Sequence, residues 1–236
     1  MNCFDHSIIS VLQRISTKSE LFDNIVVSII NNSLVKGGVL CAMYWWSWFR
    51  YKDSDTAVRE RITLAVCSSF IVLPLARLLA VALPYRIRPI HDPSIHFKIP
   101  HGMDTVLLND WSSFPSDHAV FFVALATGLL FISRRMGILA LLWVFFFCLL
   151  PRVYVGLHYP TDIIAGALIG VCFVSLVMTS KVARKLVWTP ARWLLKYPSW
   201  FYALSFILCL EISEMFDSVR KTGNILFGAI WTLLHG

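Results

Sequence analysis

MGILALLWVFFFCLLPRVYVGLHYPTDIIAGALIGVCFVSLVMTS, residues 136–180, is the stretch that decides how this chain folds. Two apolar runs, 136–152 and 161–180, flank a short polar turn. A helix needs roughly 20 mostly apolar residues to cross a bilayer, so the stretch predicts two spanning helices joined by a tight connector. Pro160 suits the first turn of the second helix, where its missing N–H costs nothing. The connector is not the usual polar loop: it carries Arg152, His158 and Asp162 at the very edges of the apolar runs. Ionisable groups in such places are costly and mark function.

Working outward, further spans are expected near 25–49, 62–84, 116–133 and 198–216. Asn31, Asn32 and Lys36 interrupt the first of these, so its firm part is Gly37 to Phe49, and Glu211 and Glu214 weaken the last. The stretch 225–235 is apolar but too short to cross alone. Of the 236 residues, 57% are hydrophobic and 15% charged, against about 25% charged in a soluble domain. The expected fold is therefore all-α: a polytopic transmembrane helix bundle of about six spans, forming a single domain over residues 1–236. Residues 1–22 carry charges at both ends and no small-residue cleavage site, so they suit a short amphipathic interfacial helix rather than a signal peptide.

The formal net charge of +7 falls in connectors between apolar runs, which points to lipid headgroups and topology rather than nucleic acid. Arg50, Lys52, Arg59 and Arg61, then Arg134 and Arg135, then Lys181, Arg184, Lys185 and Arg192 mark three cytoplasmic connectors. The loop from Tyr85 to Phe114 and the turn from Val153 to Pro160 then face outside. Cysteines 3, 41, 67, 148, 172 and 209 include no CxxC pair and read as small apolar residues.

Every chemistry-bearing motif lies on that outer side. Phe114-Pro115-Ser116-Asp117-His118 opens an apolar run, so Ser116 and Asp117 suit a helix N-terminus, which also favours an anion. His158, with Asp162 four residues on, suits a nucleophile whose tautomer a carboxylate fixes. His118 suits acid–base work. Arg86, Arg88 and Arg152 offer the forked donors that match phosphate oxygens. Arg77 lies near the middle of its span and needs a polar partner. His91, His96 and His101, with Asp92, Asp104 and Asp110, match no standard ligand spacing and read as a solvated loop. No metal and no cofactor is expected.

These segments resemble the tripartite signature of the type 2 phosphatidic acid phosphatase superfamily, over roughly residues 60–180. Arg152, His158 and Asp162 reproduce the spacing of its third part, Arg88-Pro89 the end of its first, and Pro115, Ser116 and His118 its second. The resemblance implies that His158 attacks phosphorus, that Asp162 orients it, and that His118 protonates the leaving oxygen. Arg88, Arg152 and Ser116 would hold phosphate oxygens without a metal. Val81 stands where the family has its first lysine, Asp117 where it has glycine, and Pro151 where it has serine. Arg86, two residues from Arg88, is the expected replacement cation, with Arg77 expected too deep to serve. Ser-Phe-Pro-Ser-Asp-His-Ala and Arg-Val-Tyr-Val-Gly-Leu-His-Tyr-Pro resemble the bacterial undecaprenyl-diphosphate phosphatase branch. A lipid diphosphate is thus the expected substrate. Phosphatidate, phosphatidylglycerophosphate or lipid A, phosphotransfer, and a non-catalytic transport or lipid-binding role are the alternatives.

Overall fold

The computed structural model describes residues 1–50, 56–104 and 111–217. Lys52, Asp110 and the apolar stretch 225–235 lie outside the described residues. Every described element is helical: α1 (Cys3–Gln13), α2 (Glu20–Asn31), α3 (Val39–Arg50), α4 (Thr56–Ala82), α5 (Asp117–Leu130), α6 (Arg134–Trp143), α7 (Leu150–Tyr154), α8 (Pro160–Thr179), α9 (Lys181–Leu194) and α10 (Pro198–Glu214). A π turn at Leu34–Gly38 leads into α3, another at Val144–Leu149 joins α6 to α7, and a 3-10 turn at Pro89–His91 starts the outer loop.

Three helices are long and apolar enough to cross a membrane: α4, the continuous rod Arg134–Tyr154, and α8. The pair Glu20–Asn31 and Leu34–Arg50 makes a fourth if counted as one span, bent by 64°. The bend falls where Asn31, Asn32 and Lys36 interrupt the apolar run. Asn32 leaves the helical region, and its side chain accepts from the Val35 N–H at 3.0 Å, which restarts the chain into the π turn. The expected span 116–133 takes a different form. Helix α5 has 14 residues, about 21 Å at 1.5 Å per residue, and every residue from Ala119 to Leu129 is buried. It is the central post of the bundle, enclosed by protein rather than lipid. Helix α10 has 17 residues.

Apolar residues face outward as well as inward. Ile71, Leu78, Leu139, Leu168 and Leu176 are exposed on the outer faces of the three long helices, as a lipid-facing surface requires. Small residues instead make the inner contacts. A Cβ added at Gly166 would sit 2.6 Å from the Ser116 carbonyl oxygen and 2.9 Å from Ala119 Cβ. At Gly170 it would sit 2.5 Å from the Val120 oxygen. These two glycines let α8 lie against the backbone of α5.

The π turn at Val144–Leu149 has a local cause. Pro151 has no N–H to donate and its ring crowds the carbonyl one turn back, so the helix widens just before it. The outcome is a short α7 that carries Arg152 inward. Helix α1 is not merely interfacial: Asp5 and Ile9 are buried, and it packs against α7 and α8. Helix α9 buries no residue and carries Lys181, Arg184, Lys185 and Arg192 on one amphipathic helix.

Gly166→Leu should force α8 away from α5, costing about 1–3 kcal/mol. It should lower the thermal midpoint in detergent and abolish any activity that needs residues from both helix starts. Leu168→Ala, on the outward face, should change neither.

Candidate active site

The spacing from Arg152 to His158 follows from how a helix ends. The Leu157 N–H donates to the Arg152 carbonyl at 3.0 Å, and the Gly156 N–H to the Val153 carbonyl at 3.1 Å. This is a Schellman ending. It needs a left-handed residue, and Gly156 supplies it with φ 78°. A side chain there would also strike the Phe97 ring at 2.7 Å. Two residues after this turn comes His158, and Pro160 then starts α8.

His158 is 4% exposed, and its Nδ1 lies 2.9 Å from the Ser113 carbonyl oxygen. A carbonyl only accepts, so Nδ1 carries the proton and the Nε2 lone pair is left available. Asp162 does not make the expected hydrogen bond to this ring. Its Oδ2 is 3.9 Å from Nδ1, too far. As the third residue of α8, Asp162 turns Oδ2 back to the Tyr159 N–H at 2.8 Å, a capping-box contact, and gives Oδ1 to the Arg86 guanidinium. Its charge acts on the imidazole through space, while a backbone carbonyl fixes the tautomer.

Ser116 is fully buried and caps α5, with Oγ accepting from the Ala119 N–H at 3.4 Å. The Ser116 N–H donates to the Asp162 carbonyl at 3.3 Å, so α5 and α8 begin side by side. Their positive ends therefore converge on one region. His118, in the first turn of α5, is half-buried and stacks obliquely on Phe122. It lies within electrostatic reach of Arg152, His158, Arg77 and Lys36.

The arginines differ sharply. Arg88 is buried, and its fork donates to the carbonyls of Leu157 at 2.7 Å, Trp111 at 3.2 Å and Ser112 at 3.3 Å. It ties the outer loop to the His158 turn. Arg86, expected to meet phosphate, spends its fork on two carboxylates, Asp162 and Asp5, and on the Thr161 hydroxyl at 2.9 Å. Arg77, expected to lie too deep, reaches the site: its Nη2 is 2.6 Å from Asp117 Oδ2, and its guanidinium stacks on Trp111. Its position near the middle of a span does not remove it from the site, because the start of α5 sets Asp117 against it. The same pair balances the charge of Asp117. Arg152 is 5% exposed and, among the described residues, its guanidinium makes no hydrogen bond or ion pair. A guanidinium buried in that way needs an anion.

The described residues include no group of three or more His, Cys, Asp or Glu placed to hold a metal. In the outer loop, His101 Nδ1 pairs with the buried Asp23 carboxylate at 2.8 Å. Sequence reasoning missed Asp5, Thr161 and the Ser113 carbonyl. No spacing rule links residue 5 to residue 161, and a backbone acceptor has no residue signature.

The arrangement offers an imidazole with an available ring nitrogen, a second imidazole, an uncommitted guanidinium and two convergent helix starts. Such a set is fit to take a phosphate group. A helical membrane bundle with this site belongs to the PAP2 superfamily, whose pattern matches residues 37–186, and the chain is thereby a membrane phosphatase of that superfamily. It is 25% identical to undecaprenyl-diphosphatase BcrC of Bacillus subtilis (strain 168) over 171 residues, covering 71% of this chain and 79% of that protein. Over 79 residues it is 34% identical to the bacitracin transport permease protein BcrC of Bacillus licheniformis, covering 34% and 35% of the two chains. A shorter segment of 59 residues is 48% identical to lipid A 4'-phosphatase of Bacteroides thetaiotaomicron, covering 24% and 26%. No solved structure matches the chain.

Burial, and then the charges of Arg88 and Arg152, hold the His158 imidazole well below its ordinary value of 6.5, against the opposing pull of the Ser113 carbonyl. A ring whose folded pKa is depressed stays neutral as pH falls through 6.5, and protonates only further down. In detergent-solubilised protein labelled with 13C-histidine, the His158 ring should remain neutral at pH 6.5. A ring already half protonated there would contradict this electrostatic account.

Proposed function

We propose that this chain removes the terminal phosphate of a polyprenyl diphosphate, undecaprenyl diphosphate in particular, through a phosphohistidine on His158. The observation that carries the reading is Arg152, buried beside both imidazoles with no partner among the described residues. His158 Nε2 attacks the terminal phosphorus as the bond to the bridging oxygen breaks. His118 gives its proton to that oxygen, and the lipid monophosphate leaves. His118 then takes a proton from water, which attacks the phosphohistidine and releases inorganic phosphate. Arg152 and the first-turn N–H groups of α5, capped by Ser116, hold the phosphate oxygens. Arg88 holds the loop that carries the site and adds to its positive field. Asp162 balances the charge that develops on His158.

The charge work is done by arginines and helix starts, so no metal takes part. The N-terminal helix belongs to the same functional unit as the motif core, since Asp5 reaches Arg86 and Thr161. The active site faces outward from a plasma membrane, because the basic connectors are placed on the opposite side. The relative that is a lipid A 4'-phosphatase favours a second reading, in which the substrate is a phosphate on a saccharide lipid.

The test is phosphate release by purified protein from a side-by-side panel: undecaprenyl diphosphate, phosphatidate, phosphatidylglycerophosphate and lipid A. The diphosphate should be turned over fastest, with activity intact in excess EDTA and abolished in folded His158→Ala. Preferred turnover of lipid A would move the assignment to the second reading. Wild-type turnover in His158→Ala would remove the mechanism.

Arg77 is the cation we assign to the second phosphate, in place of the missing lysine. A charge-assisted hydrogen bond contributes about 1.5–3 kcal/mol. Arg77→Ala should therefore cost about ten- to a hundredfold in kcat/KM for the diphosphate, mostly in KM, and less for a monophosphate. Arg86→Ala should act mainly on kcat, because its partners stand behind His158. Equal KM effects in the two variants would return Arg86 to the substrate.

A further inference from the structure

The N-terminal helix places a carboxylate where no motif calls for one. Asp5 is fully buried. Its Oδ2 accepts from Arg86 Nη2 and from the Thr161 hydroxyl, both at 2.8 Å, and its Oδ1 accepts from the Thr161 N–H at 2.9 Å. Asp5 thus caps the start of α8 from another helix, supplying an acceptor that the first turn lacks. The Asn2 side chain in turn accepts from the Asp5 N–H at 2.7 Å and starts α1, which fixes the direction of the Asp5 side chain. Arg86 lies between two buried carboxylates, Asp5 and Asp162, with its guanidinium 4.0 Å from the centre of the Tyr159 ring. The Tyr159 hydroxyl donates to Asp92 at 2.9 Å, so the stacking ring is itself anchored.

We propose that Asp5 is a positioning residue for phosphoryl transfer: it holds Arg86 and keeps one net negative charge behind His158. This rests on the reading of His158 as nucleophile. Two carboxylates and one guanidinium sum to minus one. Without Asp5, Arg86 would neutralise Asp162, and the sum behind the ring would be zero. When Nε2 bonds to phosphorus the ring becomes a cation, because Nδ1 keeps its proton on the Ser113 carbonyl. The remaining negative charge stabilises that cation. The other charged or titratable groups facing His158 are Arg88 from the outer connector, Arg152 from α7, Arg77 from α4, His118 from α5 and Asp162 from α8. Arg77 is paired with Asp117, which leaves Arg88 and Arg152 as cations without a carboxylate, and Asp5 leaves Asp162 its charge against them. The side-chain oxygens of Asp5 are taken by Arg86 and Thr161, so it is assigned no part in binding substrate.

In a medium of effective dielectric about 20, a unit charge changes a rate tenfold out to roughly 12 Å. Asp5→Asn keeps an oxygen for the Thr161 N–H and removes the charge. With undecaprenyl diphosphate in detergent micelles, D5N should lower kcat at least about tenfold and leave KM within about twofold. The acid limb of the pH profile of kcat/KM should move to lower pH, because the imidazolium loses a stabilising charge. A merely structural role gives the opposite sign: loosening α1 hydrates His158 and moves the limb up toward the ordinary imidazole value. Unchanged kcat in folded D5N, or a limb that moves up with a fall in melting temperature, overturns the inference. Should D5N not fold, D5S is smaller, keeps an oxygen, and carries the same expectation. If neither folds, Asp5 is a structural carboxylate and the inference is wrong. His158→Ala is run alongside. An inactive H158A beside a normal D5N sinks the role of Asp5 alone, whereas a fully active H158A sinks the nucleophile reading and this inference with it.

Discussion

Helices α5 and α8 start side by side, and the rest of the site depends on that contact. The Ser116 N–H bonds to the Asp162 carbonyl, and Gly166 leaves no room for anything but backbone between the two helices. Each helix then does what a helix start does in an apolar surrounding. It presents the positive end of its dipole, and it carries ionisable residues in its first turn. His118 rides on one start and Asp162 on the other, with His158 delivered by the turn just before. A single close approach, made possible by small residues, therefore fixes the separation of the two imidazoles and the direction of the local field. From Ala119 to Leu129, α5 is enclosed by protein.

Much of this was legible in the sequence, for identifiable reasons. Pro160 and Asp162 predicted a helix start, Ser116 predicted a cap, and apolar run length predicted the hairpin through residues 136–180. Each of these is a local rule, and local rules survive folding when nothing competes with them. Local rules fail where a side chain has a choice of partners. Asp162 was paired with His158 on spacing alone, yet a residue at that helical position has a nearer donor in the Tyr159 N–H. Arg86 was given to phosphate because it stands two residues from Arg88, yet two carboxylates from distant segments reach it first. Among the described residues three helices, or four with the bent pair, are long and apolar enough to cross a membrane. The residues of α5 are as apolar as those of any span, and apolarity alone does not tell a helix buried in protein from one bathed in lipid.

The structure ranks Arg77, Arg86, Arg88 and Arg152 by what each has already committed. Arg88 is spent on backbone carbonyls and is part of the scaffold. Arg86 is spent on two buried carboxylates, Asp5 and Asp162. Arg77 is shared between one carboxylate and an aromatic face. Arg152 is buried with no partner among the described residues. The costs run in the same order as the availability. A guanidinium matched to fixed acceptors is already stabilised and gains little from a ligand, whereas one buried without an acceptor gains most when an anion arrives. The placement of Pro151 fits this logic. By widening the helix just before Arg152 it turns that side chain inward from the end of an apolar rod. The resulting strain on solvation is released only when a negatively charged group sits against it. An arginine held in this state would gain from an anionic ligand what it lacks from the protein.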